Sequence, residues 1–125
     1  VKDWDVINNS SEQVIEFTVS DDSELELRHV LNYPNPFTTH TAFWFEHNKP
    51  GLSLQVQVQI MTITGKVVRS VTGQVDPGGS RVTEISWDGK DDYGNRLARG
   101  VYLYKLRVMA PGKKTREVLG KLYKL

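Results

Sequence analysis

From Leu54 to Ile60 the chain alternates without a fault: Leu54, Val56, Val58 and Ile60 are apolar, while Gln55, Gln57 and Gln59 are polar. A period of two predicts a strand with one face in a core and the other toward water or a neighbour. The same pattern borders the stretch from Trp87 to Leu106. Before it, Thr83, Ile85 and Trp87 alternate with Glu84 and Ser86; after Gly100, Tyr102, Tyr104, Leu106 and Val108 alternate with Leu103, Lys105 and Arg107. Between them lie Asp88-Gly89, Tyr93-Gly94-Asn95 and Arg99-Gly100. These residues accept positive φ or hydrogen-bond their own backbone, so an ordered, turn-rich loop between two strands is expected.

Weaker alternations fill in the rest. Arg28 to Tyr33 reads as a short strand, after which Pro34-Asn35-Pro36 fixes two φ angles and forces a bend that cannot enter a helix. Phe43 and Phe45 alternate with Ala42, Trp44 and Glu46, and Asn48-Lys49-Pro50-Gly51 closes that strand. Thr64-Gly65-Lys66 makes a tight turn into Val67 to Val71, and Asp76-Pro77-Gly78-Gly79 leads to Arg81 to Trp87. Ala110-Pro111-Gly112-Lys113 then turns the Val101 to Met109 strand into a last one, Thr115 to Leu125. Nowhere does a 3.6-residue apolar period persist for three turns. An all-β sandwich of about seven antiparallel strands over 27–125 is therefore expected.

Residues 1–20 have a hairpin grammar of their own. Trp4, Val6 and Ile7 precede Asn8-Asn9-Ser10-Ser11, and Val14, Ile15, Phe17 and Val19 follow. Two strands alone are marginal in water. The acidic run 21–26 reads as a linker, so the hairpin is expected to be the detached end of a preceding domain, either mobile or self-associating through its unpaired edge. At 125 residues the chain suffices for one core. With no signal peptide at its start, an exported protein of this sequence would have lost its signal or be a piece of something longer.

Charge and composition narrow the chemistry. Sixteen basic and fifteen acidic side chains give a net charge of +1, which argues against nucleic acid as a partner. No apolar run approaches the roughly 20 residues of a membrane helix, so no direct span is expected. The chain has no cysteine, which removes thiol nucleophiles, disulfides and zinc-thiolate sites. Asp88, Asp91, Asp92 and Asn95 bring hard oxygen ligands together, as calcium would want. Lys90, however, stands where a second ligand would fall and Gly94 is out of register, which favours turn-capping by these side chains. His29, His40 and His47 lack metal-ligand spacing, and His47 is expected to hydrogen-bond at a strand end. No nucleophile, base and orienter come into view, so neither a catalytic residue nor a cofactor is expected. If Phe43 and Phe45 face the core, Trp44 points outward. Cover by a loop is the expected reason, with sugar stacking beside another aromatic as the alternative.

Four motifs in order carry a resemblance over Leu31 to Leu125. They are Leu31-Asn32-Tyr33-Pro34-Asn35-Pro36-Phe37; the strand from Val56 with Thr64-Gly65-Lys66-Val67-Val68; Trp87-Asp88-Gly89 with Asp91, Gly94 and Asn95; and Leu97-Ala98-Arg99-Gly100-Val101-Tyr102. Together they resemble the immunoglobulin-like domain of flagellar hook-capping proteins and the related C-terminal sorting domain of proteins exported by the type IX secretion system. Lys121-Leu122-Tyr123-Lys124-Leu125 is similar to the terminal segment of those sorting domains. Asp5-Val6, Asn8-Asn9, Phe17-Thr18-Val19 and His47-Asn48 look most like the end of the sortase family of that system, cell-surface cysteine peptidases.

The resemblance implies an immunoglobulin-like fold in which Tyr33, Pro34, Asn35, Pro36, Gly65, Trp87, Gly89, Gly94, Gly100 and Tyr102 are structural. It implies export through the periplasm to the outer-membrane surface, with translocon components and an outer-membrane β-barrel as partners, and a peptidase upstream in the parent chain. The recognition element would be the last strand, with Lys114, Arg116, Gly120, Lys121, Leu122, Tyr123, Lys124 and Leu125 as candidates, read by strand addition. Protection of an edge strand by charge explains the same lysines without a partner. A carbohydrate-binding module and a structural assembly module of the hook-capping kind are the alternatives.

Overall fold

The computed structural model describes residues 24–125 of the protein. Seven strands follow in chain order: β1 (Leu27–Tyr33), β2 (Thr41–His47), β3 (Leu54–Met61), β4 (Val67–Val75), β5 (Arg81–Trp87), β6 (Gly100–Met109) and β7 (Arg116–Lys124). They pair antiparallel in two sheets, ordered β1-β2-β5 and β4-β3-β6-β7. There is no helix among the described residues, and the expected seven-stranded sandwich is observed.

The alternation in sequence becomes the inner face of each sheet. Leu54, Val56, Val58 and Ile60 of β3 and Tyr102, Tyr104, Leu106 and Val108 of β6 line the large sheet's inner side. Phe43 and Phe45 of β2, with Val82, Ile85 and Trp87 of β5, line the small sheet's. Phe43 meets Tyr104 across the gap at a ring separation of 5.0 Å, and Phe37 meets Trp87 at 5.4 Å. Such tilted aromatic pairs add to the burial that holds two sheets face to face.

Two boundaries differ from expectation. The strand expected over Val67 to Val71 continues to Val75, because its ladder with β3 runs unbroken to the Leu54–Val75 pair. Gly73 permits this where it passes Ile85 of the other sheet: a Cβ there would lie 2.8 Å from Ile85 Cδ1. The second difference is in the linker. Leu25 is fully buried in the core, its carbonyl accepts a 2.6 Å hydrogen bond from Arg116 Nε, and Asn48 brackets it by bonding Glu26 N and Glu24 O. Residues 24–26 are thus part of the domain, because an apolar side chain inside an acidic run found a place in the sandwich. The hairpin assigned to 1–20 and linker residues 21–23 lie outside the described residues.

Candidate functional site

The last strand, β7, is the outer strand of the large sheet and pairs on one side with β6. Its alternation divides the candidate recognition residues between two faces. Lys121, Tyr123 and Leu125 are exposed, together with Leu119. Leu122 is fully buried, and Lys124, only 8% exposed, keeps its Nζ 2.9 Å from the Leu125 carbonyl and 6.0 Å from the Phe37 ring centre. Gly120 stands opposite Tyr104, whose ring fills the space a Cβ would need. Gly120, Leu122 and Lys124 therefore serve packing, a correction to their place among the recognition residues. Lys114 is exposed, and Arg116 is half-buried, spent on the Leu25 carbonyl and on Glu26, 3.8 Å away.

The free side of β7 is partly covered by the Tyr33–Phe37 motif. Asn35 Nδ2 donates to Lys121 O (3.3 Å) and its Oδ1 accepts from Tyr123 N (3.0 Å). Phe37 N donates to Tyr123 O (3.0 Å), and Leu125 N donates to Phe37 O (2.8 Å). The bend that Pro34 and Pro36 impose is itself fastened by a buried cluster: Asn32 Nδ2 bonds Thr41 Oγ1 (3.2 Å), and Thr41 Oγ1 donates to Pro34 O (2.9 Å). The motif thus forms a clasp over the end of β7. Sequence reading found the bend but not its purpose, because Asn35 and Tyr123 are 88 residues apart. Glu117 and Leu119 share the outward backbone phase of Lys121 and Tyr123, and among the described residues nothing pairs with them on that side.

The loop between Trp87 and Gly100 is a second clasp, on the opposite edge of the same sheet. Asp88 Oδ1 accepts from Lys90 N (3.1 Å), and Asp91 Oδ1 accepts from Tyr93 N and Asn95 N (both 2.9 Å). Asp92 reaches the edge of β4, with its N donating to Val68 O (3.0 Å) and its Oδ1 accepting from Ser70 N (3.3 Å). The aspartates are therefore spent on backbone amides. Among the described residues no three metal-ligating side chains converge. Arg69, which sequence reading missed, threads the loop: its Nη1 donates to Lys90 O and Asp91 O, 3.5 Å from Asp88 Oδ1. Trp87 and Tyr102 are core residues whose polar tips hold the loop from below, Trp87 Nε1 on Lys90 O (2.9 Å) and Tyr102 OH on Ala98 O (2.7 Å). Gly65, Gly89, Gly94 and Gly100 all have positive φ. At Gly89 the space is closed as well, with Phe37 Cε2 3.3 Å from where a Cβ would sit.

The third feature is the outer face of the small sheet. Trp44 lies half-buried there, not under a loop as expected, but beside Tyr33, whose ring centre is 5.3 Å away at a tilt of 44°. Tyr33 is 61% exposed and Leu31, opposite Trp44, is 41% exposed. Both neighbouring strands bulge here. His29 and Val30 stand opposite Phe45 alone, and Thr83 and Glu84 stand opposite Trp44 alone. His29 has φ of 54°, and its Nδ1 lies 2.9 Å from Glu46 Oε1, while Arg81 Nη2 lies 3.4 Å from Glu46 Oε2. The hydrogen bond from His29 holds the Glu46 pKa below its usual value; burial opposes it, and the charges of His29 and Arg81 add to the lowering. The other two histidines lie elsewhere. His40 contacts Thr39, and buried His47 accepts a 3.1 Å hydrogen bond from Lys49 N at the strand end, as expected. Burial lowers the His47 pKa, while a hydrogen bond to the Gly79 backbone opposes that shift.

Among known families, residues 35–112 match the FlgD Ig-like domain. No curated protein sequence matches the chain. The crystal structure of dimeric latent PorU from Porphyromonas gingivalis aligns with 86% of the chain at 29% identity and a TM-score of 0.72. The chain spans about a tenth of that protein, 10% of its length. CopC from Methylosinus trichosporium OB3b aligns with 77% of the chain, and over 93% of its own, at 19% identity and a TM-score of 0.43.

Proposed function

The chain belongs to the FlgD Ig-like domain family, and from that premise we propose that it is a non-catalytic sorting and docking domain, one that directs export through the type IX secretion system. In this reading it ends a parent sortase, a cysteine peptidase whose nucleophile lies in another part of the protein. The domain crosses the periplasm with its parent and holds it at the outer-membrane surface through a β-barrel partner. The similarity to PorU, at 29% identity, supports the assignment. No helix among the described residues is long and apolar enough to cross a membrane.

One observation carries the proposal: the strand that resembles a sorting signal is the edge strand of the large sheet, clasped at its end and open at Glu117 and Leu119. Edge backbone of this kind accepts an added strand, and the exposed Leu119, Lys121 and Tyr123 side chains supply the specificity. Removing Tyr123 to Leu125 is an ambiguous test, because it also removes the bonds to Asn35 and Phe37. The sharper experiment substitutes the outward side chains, Leu119→Glu with Lys121→Glu, in the full parent protein. Surface display should be lost while the thermal midpoint of the domain stays within a few degrees. Unchanged display would sink the proposal.

A further inference from the structure

The outer face of the small sheet is not used by the docking reading, and its chemistry differs from that of β7. We propose that Trp44 and Tyr33 form a binding site for a neutral pyranose glycan. Trp44 lines an open depression of about 450 Å³ together with Leu31, His29, Glu46 and Arg81, and Tyr33 stands beside it with its ring centre 5.3 Å from that of Trp44. That volume falls within the range of small-ligand sites.

Three observations select a sugar. First, the two tryptophans of the described chain differ. The Trp87 indole N–H is satisfied by Lys90 O, whereas the Trp44 N–H has no acceptor among the described residues. An indole that offers both an open face and an unused donor suits a ring with an apolar C–H face and hydroxyl groups at its rim. Second, the polar end of the depression is already neutralised. Glu46 is flanked by Arg81 and His29, so it can accept from hydroxyls while the group as a whole leaves no unpaired charge to call for an ionic ligand. Third, the apolar lining of the depression, Val30, Leu31, Trp44 and Phe45, is bounded by His29, Glu46 and Arg81. A stable protein interface takes roughly 20–30 residues a side, against the seven that line this depression.

The backbone supports a built site. Bulges in both neighbours of β2 fall beside Trp44, and bulges re-aim side chains next to binding sites. One of them holds His29 at positive φ, a conformation that costs energy in any residue with a Cβ, and directs its imidazole onto Glu46.

The test is a printed array of neutral oligosaccharides probed with the 125-residue chain, followed by isothermal titration of the hits. Binding is expected, and Trp44→Ala should weaken it at least about tenfold. Tyr33→Ala should weaken it less, and Gln57→Ala, on the outer face of the other sheet, should leave it unchanged. Because Trp44 is half-buried and packs on Tyr33, the thermal midpoint of each variant is measured and binding is compared at a temperature where all of them are folded. No binding across the array overturns the proposal, as does binding that survives Trp44→Ala. So does a Trp44-dependent association that rises with protein concentration, or that vanishes when residues 1–23 are removed. Those two outcomes would assign the face to a second copy or to the chain's own N-terminal segment. Surface display in Trp44→Ala should be normal, which separates this site from the docking proposal.

Discussion

At Gly120 the missing side chain is a structural component, since the Tyr104 ring occupies its place. Gly120→Ala should destabilise the domain by about 1–3 kcal/mol, as overpacking does, read as a lowered denaturant midpoint at constant m. Gly73→Ala should cost less, because what it meets is the end of a flexible side chain, Ile85 Cδ1. His47 makes a second residue-level prediction. Its folded pKa lies below the ordinary 6.5, so on acidification the unfolded chain takes up a proton before the folded one does. Stability should therefore fall as pH drops below about 6.5 and level off beneath the folded pKa. Protonation of Nδ1 would also deprive Lys49 N of its acceptor. Unfolding measured from pH 7.5 to 5 should show this slope in the parent and lose much of it in His47→Gln. A parallel slope in both would rule His47 out as its source.

Strands were legible because each buries one face, which writes a period of two into the sequence. Their clasps were not, because they depend on pairs of groups distant in sequence. Asn35 could be read as a residue between two prolines, but its two bonds to β7 could not. Arg69 falls within the strand expected over Val67 to Val71, and alternation carries no sign that it holds the 88–95 loop against β4. Trp44 was placed outward by the phase of Phe43 and Phe45, while its neighbour Tyr33 depends on the register of β1 and β2, which alternation leaves open. The element-level prediction concerns the first clasp. Asn35→Ala should cost about 1–2 kcal/mol for two lost hydrogen bonds. Amide exchange should quicken at Tyr123 and Leu125 well before it does at Val58 or Leu106. Uniform acceleration across the sheet would show that the clasp is no local device.

For the molecule as a whole, the boundary lies before Leu25. A chain beginning at Glu24 should be more stable than one beginning at Leu27 by about 2–5 kcal/mol, the usual cost of emptying a buried leucine site. Equal stability would place the boundary at β1. Balanced charge fits this architecture: with sixteen basic and fifteen acidic groups, no long-range field dominates, and recognition must come from local surfaces. The two proposed surfaces lie on different sheets, one at the edge of β7 and one on the outer face of β2. Each can be removed by surface substitutions without touching the other.

The bond from Arg116 to the Leu25 carbonyl also makes the domain a mechanical element. A pull transmitted along the chain to Leu25 is shared between the core, where its side chain is buried, and β7, which its carbonyl meets through Arg116. If β7 is held at its outer edge, tension between parent and anchor has a path along one side of the sandwich as well as one through the core.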